Sequence, residues 1–167
     1  MASTAKAILA QVVTQIQAAD GAGVYAYDLR AATGRVHRGA PRTMQIDATC
    51  EVWVRMVYER SVRGAPLTRY TRQLAVRVVA IASAFGDSAG DREDAVLDLT
   101  DTILRALEAD RSLSGQVLDI GEASVEVMDG SRLSELGYLG VDEAESLAGV
   151  PVGVIEFVAD YYMTTGV

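Results

Sequence analysis

Alternating hydrophobic and polar residues predict the strands of this chain. The clearest case is Asp47 to Arg60, where hydrophobic residues from Ala48 to Tyr58 occupy every second position. Such alternation is typical of a strand with one buried face. Four further segments have similar or β-branched patterns, so the predicted strands are 24–30, 47–60, 67–80, 116–128 and 150–163.

The third of these strands competes with a helix, because Leu74, Val78, Ile81 and Phe85 have the spacing of a helix face. The same segment is rich in β-branched residues and follows a hairpin-like turn at 61–66. Both features favour a strand, which is the prediction made here.

Two segments have hydrophobic residues at helical spacing. The first begins at Ser3, a residue that can cap a helix, and runs to about Ala19. The second begins near Asp91 and Asp94, which resemble a helix cap, and ends near Ala109. The predicted buried faces are Ile8, Val12, Ile16 and Ala19 in the first helix, and Val96, Leu99, Ile103 and Leu107 in the second.

The order helix, strand, strand, strand, helix, strand, strand predicts an α+β fold. We expect a largely antiparallel or mixed β-sheet of about four to five strands, with the two main helices packed on one face. No linker divides the 167 residues, so a single domain over 1–167 is expected. Long loops are predicted at about 31–45 and 129–149, the second with a short helical turn.

Charge is sorted along the chain. Residues 1–80 hold eleven basic and five acidic residues, a net charge of +6, whereas residues 81–167 hold four basic and eighteen acidic residues, a net charge of −14. Opposite charges on one body attract neighbouring copies head to tail, so self-assembly is expected. The sequence has no long uninterrupted hydrophobic run and no clear cleavage site near its start. We therefore expect a soluble protein with neither a signal peptide nor a membrane span.

Few residues are suited to catalysis. The single histidine, His37, lies in an arginine-rich loop, and the single cysteine, Cys50, lies on the hydrophobic side of the clearest strand. A cluster of aspartates at 94, 98 and 101 is typical of a solvated helix face. We therefore expect no catalytic residue, cofactor or metal. The alternative, a small α+β enzyme or ligand-binding module, would use His37, Asp87 and Asp91 at a loop-lined cleft.

Nine arginines lie between Arg30 and Arg72, which raises nucleic-acid binding as a hypothesis. The net charge of −8 argues against sequence-specific binding, because carboxylates in the same chain or its neighbour can pair with these arginines.

Trp53 interrupts the polar side of the clearest strand. Either the chain covers this indole itself, or it anchors a contact with another subunit, where Trp and Arg are enriched. The candidate residues for a subunit or partner interface are Arg35, Arg38, Arg42, Trp53, Arg55, Arg63 and Arg69.

The segment from Leu74 to Leu118 contains the turn Leu107-Glu108-Ala109-Asp110, followed by Leu113 and Gly115, and a closing strand follows at 153–162. With the helix near the N-terminus and two consecutive long strands, this order resembles the tail terminator proteins of long-tailed bacteriophages, also called tail-to-head joining or minor tail U-like proteins. The resemblance covers most of the chain, in pattern more than in residues.

This resemblance implies a structural virion protein of the phage neck, made in the host cytoplasm. It implies a homo-oligomeric ring, typically a hexamer, that caps the tail tube, ends tail polymerisation and contacts the head-completion or stopper protein. Genome DNA would pass through the lumen without sequence-specific binding. A head-completion, stopper or tail-completion protein of the same connector is the alternative.

Overall fold

A computed structural model of the chain describes residues 4–39, 50–62, 69–82 and 88–164. Its strands are β1 (Val36–Arg38), β2 (Cys50–Val62), β3 (Arg69–Ala82), β4 (Ser124–Asp129) and β5 (Pro151–Thr164). Its helices are α1 (Ala5–Ile16), α2 (Ala89–Glu108) and α3 (Val141–Glu145), with 3-10 turns at Ala31–Thr33 and Gly130–Ser134.

The strands form one mixed sheet in the order β1-β2-β3-β5-β4. β1 runs parallel to β2, and the other three pairings are antiparallel. This architecture confirms the predicted α+β class and the mixed sheet. The third predicted strand is also confirmed, since it forms β3. Its β-branched side chains pack well on the pleated surface of a sheet.

The two long helices cover one side of the sheet, which we call the first face. Every residue of both predicted helix stripes is at most 1% exposed, so both stripes are confirmed. They pack in one core with the side chains that alternate along the strands, including Val52, Leu74, Val78 and Ile155.

Both helices begin at caps that differ from the predicted ones. Ser3 lies outside the described residues, and Thr4 caps α1 by accepting a hydrogen bond from the Ala7 N–H at 3.2 Å. In α2 the cap is Ser88, which accepts from the Asp91 N–H at 3.1 Å. Asp91 thus belongs to the first turn, where its charge suits the positive end of the helix dipole.

The opposite side of the sheet, the second face, is covered by the segment 130–149. Leu133, Tyr138 and Leu147 from this segment pack with strand residues in a separate hydrophobic core. Asp129 fixes both ends of the segment, because its carboxylate accepts from the Ser131 N–H at 2.9 Å and from the Gly149 N–H at 2.7 Å. A region predicted as mostly loop therefore forms a packed cover.

The predicted strand 24–30 is wrong, and the predicted strand 116–128 is correct only in its last part. Residues 24–30 form no strand, and only an isolated bridge joins Asp20 to Asp28. Both aspartates accept hydrogen bonds from backbone N–H groups two residues ahead, which gives the backbone an alternative to strand pairing. The predicted strand 116–128 is regular only from Ser124, because Gly121 has a φ of +60° and turns the chain before it.

The predicted loop 31–45 contains a strand. Val36–Arg38 forms β1, and Val52 donates its N–H to Arg35 O at 2.9 Å. Residues 40–45 lie outside the described residues.

Candidate interaction surface

A bulge in β2 separates two parts of the sheet. The register to β3 shifts between Met56 and Tyr58. The distal sheet consists of residues 56–62 of β2, 69–76 of β3 and 157–164 of β5. The remaining strand residues form the proximal sheet. The cover formed by 130–149 packs on the proximal part of the second face, where its strand partners include Trp53, Val79 and Val154.

The structure places Trp53 in this second core. Its side chain is 4% exposed, and its ring is stacked on that of His37 with 5.9 Å between centroids. The chain covers the indole itself, which is the first of the two alternatives, so Trp53 offers almost no surface to a partner. The residues next to Trp53 in β2 do not predict its burial, because the segment that covers it lies about eighty residues away in the sequence.

The predicted interface arginines are dispersed and largely bonded within the chain. Arg35 donates to Asp28 O at 2.9 Å, and Arg38 donates to Lys6 O at 3.4 Å. Arg55 donates to Gly137 O at 3.0 Å, and its guanidinium lies 5.5 Å from the centroid of the Tyr138 ring. Arg42 and Arg63 lie outside the described residues, and Arg69 begins β3.

Exposed hydrophobic residues concentrate on distal β2 instead. Met56, Val57, Tyr58 and Val62 are 37% to 43% exposed, although all four belong to one strand of the sheet. Among the described residues, β1 pairs only with positions 52–54, so no strand lies beside distal β2. Such an edge presents unpaired N–H and C=O groups and can accept another strand.

A shallow groove lies on the distal part of the second face and extends to the adjoining end of the proximal sheet. Its lining includes Val57, Tyr58, Ala75, Glu156 and Val158. Glu156 is paired with Arg77 across β3 and β5. The groove thus combines hydrophobic surface with a charged rim, which is typical of a surface that contacts another protein.

A polar cluster ties distal β2, β3 and β5 together on the first face. Tyr161 donates its hydroxyl hydrogen to Glu59, and Arg72 Nη1 lies 3.2 Å from Glu59 Oε1. Burial, together with this hydrogen bond, raises the pKa of Tyr161 to about 12. Because the folded state holds the phenol neutral, its contribution to stability is present below pH 10 and is lost as the pH rises through about 12.

The sheet keeps the charge sorting seen in the sequence. The three strands β1, β2 and β3 carry six arginines and two glutamates, whereas β5 and β4 carry four carboxylates and no lysine or arginine. Since the strand order places the first three on one side and the last two on the other, one half of the sheet carries a net positive charge and the other half a net negative charge.

Residues considered for catalysis do not come together. His37 pairs in register with Trp53 and so lies on the second face, whereas Asp91 lies in α2 over the first face. Asp87, the third residue of the enzyme alternative, lies outside the described residues. Cys50 is 1% exposed, and burial raises the pKa of its thiol. Within the ranges that the structure describes, no three His, Cys, Asp or Glu side chains could hold a metal ion, and no helix is long and apolar enough to cross a membrane.

A solved structure resembles this fold over the whole chain. It is a cryo-EM structure of an extracellular contractile injection system, described as the PVC sheath/tube terminator in its extended state. The TM-score is 0.55 and the sequence identity 13%, with 100% of this chain and 58% of the other covered. The chain thus has a tail-terminator-like fold and spans 58% of the length of that terminator. No protein-family model matches the sequence, and no curated protein matches it.

Proposed function

We propose that this chain is a structural tail terminator, which forms a ring of identical copies on the end of a tail-type tube and stops the growth of that tube. The observation that carries the proposal is the likeness of the whole chain to a sheath/tube terminator. Its partners are further copies of itself, the tail tube protein and, in a phage, the head-completion or stopper protein. Genome DNA would cross the ring without base-specific contacts.

The chemistry of the described residues supports an assembly role. Hydrophobic side chains are exposed on a strand edge that is unpaired among the described residues, and the two halves of the sheet carry opposite net charges. These features suit repeated contacts between identical subunits, which require two different, complementary surfaces on each copy.

The function is tested by imaging particles assembled without this chain. A terminator is required to stop tube growth, so its loss is expected to give tubes of abnormal, mostly excessive length, and supplying the chain is expected to restore the defined length. Tubes of normal length joined to heads that leak their genome would instead indicate the stopper alternative. Particles of normal length and composition would contradict both.

A further test addresses the sheath, because the similar structure terminates both a sheath and a tube. Purified chain is incubated separately with tubes and with sheathed tubes, and the bound ends are counted by electron microscopy. We expect binding at tube ends. Binding that requires the sheath would change the proposed partner from the tube to the sheath.

The enzyme alternative has a direct test in His37. Replacement His37→Ala removes the imidazole and its stacking on Trp53 but leaves the strand edges intact. A terminator carrying His37→Ala is expected to restore tube length at close to the normal level. Loss of function in a variant that still folds would favour a chemical role for the imidazole.

A further inference from the structure

We propose that neighbouring copies in the ring join edge to edge, with β4 of one copy adding as an antiparallel strand to distal β2 of the next. This inference rests on the proposed function and specifies the contact between subunits. Both edges are unpaired among the described residues, since β1 stops at position 38 and β4 ends the sheet. Their lengths match, because β4 has six residues and the free segment 56–62 has seven.

The strand directions suit this pairing. β2 is antiparallel to β3, β3 to β5, and β5 to β4, so β2 and β4 run in opposite directions. When the next copy continues the sheet with the same face toward the helices, its β2 is antiparallel to the β4 beside it. The contact is heterologous, because it uses two different edges, and such contacts generate a ring when the rotation between copies closes.

The backbone groups restrict the register to alignments that differ by two residues. Val52 directs its N–H away from β3 to Arg35 O, and its partner on β3 is Ala80. Beyond the bulge, Glu59 and Ser61 pair with Leu74 and Arg72, which alternate in step with Ala80 along β3, so their N–H groups have the same outward direction. On the other edge, Asp160 of β5 directs its N–H toward the β4 side, bonding to Asp119 O. By the same alternation, the β4 residues with outward N–H groups are Val125 and Val127.

Outward groups meet when Glu59 lies opposite Val127 and Ser61 opposite Val125. This register places Arg60 directly opposite Glu126, and both side chains lie on the second face. Backbone pairing, side-chain face and charge therefore agree on a single alignment. Both side chains are exposed and hold only surface partners in the single copy, where Arg60 Nε donates to Gln73 Oε1 at 2.8 Å and Glu126 lies 3.5 Å from Arg132.

The stagger of the two edges also suits a closed ring. Distal β2 lies level with positions 157–162 of β5, whereas β4 lies level with positions 151–156. The two edges are thus offset by six residues, which is about 20 Å along the strands. The four strands β2, β3, β5 and β4 span about 19 Å across the sheet, so strands in a closed ring of copies would be inclined to the ring axis by about 45°. Strands in closed barrels are typically inclined by about 35–45°.

Cysteine pairing tests the register. Residues directly opposite on two antiparallel strands have Cβ atoms close enough for a disulfide. We expect an equimolar mixture of Arg60→Cys and Glu126→Cys to form an intermolecular disulfide under mild oxidation, whereas each variant alone forms none. The native Cys50 is buried and serves as an unreactive background. Strong cross-linking of Arg60→Cys alone would show a β2-to-β2 contact and overturn the proposal.

A proline tests the strand addition. Ser61→Pro removes an N–H that points away from β3, so the fold tolerates it as an edge proline, whereas the added strand loses a hydrogen bond. We expect Ser61→Pro to weaken self-association at least about tenfold, measured by sedimentation, and Ser61→Ala to change it less than about twofold. Should Ser61→Pro not fold, as judged by circular dichroism, the cysteine mixture alone decides the test.

The outcomes separate this inference from the proposed function. A ring that forms normally, shows no disulfide between Arg60→Cys and Glu126→Cys copies and tolerates Ser61→Pro overturns the edge pairing and leaves the terminator role standing. A chain that controls tube length yet is monomeric at every concentration and at the tube end overturns the edge pairing together with the ring. A chain without effect on tube length, yet cross-linked as expected, overturns only the terminator role.

Discussion

The proximal and distal parts of the second face carry similar strand patterns but have different surroundings. Trp53 on the proximal part is 4% exposed, and Tyr58 on the distal part of the same strand is 40% exposed. The difference arises from the segment 130–149, which covers the proximal part and does not extend over the groove around Tyr58. An aromatic residue on a strand thus stabilises the fold in one place and remains available to a partner in the other.

The largest expected effect comes from the covered part. Trp53→Ala removes a buried indole from the second core and should lower the free energy of unfolding by about 3–5 kcal/mol. Tyr58→Ala is the matched control and should cost only about 1–2 kcal/mol, since its ring is already partly exposed. Chemical denaturation of both variants measures the difference. Equal losses would show that the two parts of the face are not distinct.

A smaller effect is expected where the cover is attached. Asp129→Ala removes the acceptor for the N–H groups of Ser131 and Gly149 and should cost about 0.5–2 kcal/mol. Hydrogen bonds from Ser131 lower the pKa of Asp129, so this stabilisation is present above the unfolded pKa and is lost as the pH falls through the folded one. Denaturation of the variant should accordingly depend less on acid than that of the wild type, and Glu122→Ala is the exposed control.

Tyr161→Phe tests the distal polar cluster. Loss of the hydrogen bond to Glu59 should cost about 1 kcal/mol at neutral pH. The pKa of Tyr161 is raised to about 12, so the wild type should lose stability between pH 10 and about 12. The variant should lose less over this interval. An unchanged alkaline profile would mean that the phenol is not held neutral by the fold.

Tyr138→Phe should have the smallest effect and the opposite sign. The Tyr138 hydroxyl is buried, and no described residue forms a hydrogen bond with it. Removing an unsatisfied polar group should leave stability unchanged or raise it by up to about 1 kcal/mol, while the ring keeps its contact with Arg55. Thermal unfolding measures the sign. A loss above about 1 kcal/mol would show that the hydroxyl has a partner.

Periodic patterns explain why much of the fold was predictable. Both helix stripes and the alternation of Ile155, Phe157, Ala159 and Tyr161 in the last strand are local consequences of burying one side of an element, and all these residues are buried. The competing helical spacing in β3 was resolved correctly by its β-branched residues.

The remaining features depend on contacts between distant segments. β1 has three residues and is defined by parallel pairing to β2, so its sequence carries no strand period. The burial of Trp53 depends on Leu133 and Leu147, which lie in a segment without a continuous pattern. The interface prediction followed arginine content and stays a prediction, whereas the exposure of hydrophobic residues between Met56 and Val62 follows from a bulge and an unpaired edge that the sequence pattern does not indicate.

Hydrogen–deuterium exchange on the free and the assembled chain tests most directly whether the two open edges join the copies. If β4 of one copy adds to distal β2 of the next, assembly should slow exchange at 56–62 and at 124–129, with the outward amides of Ser61 and Val125 among those affected. Exchange within α1, α2 and the second core should change little. Protection confined to the helices, with both strand edges exchanging as fast as in the free chain, would contradict the account.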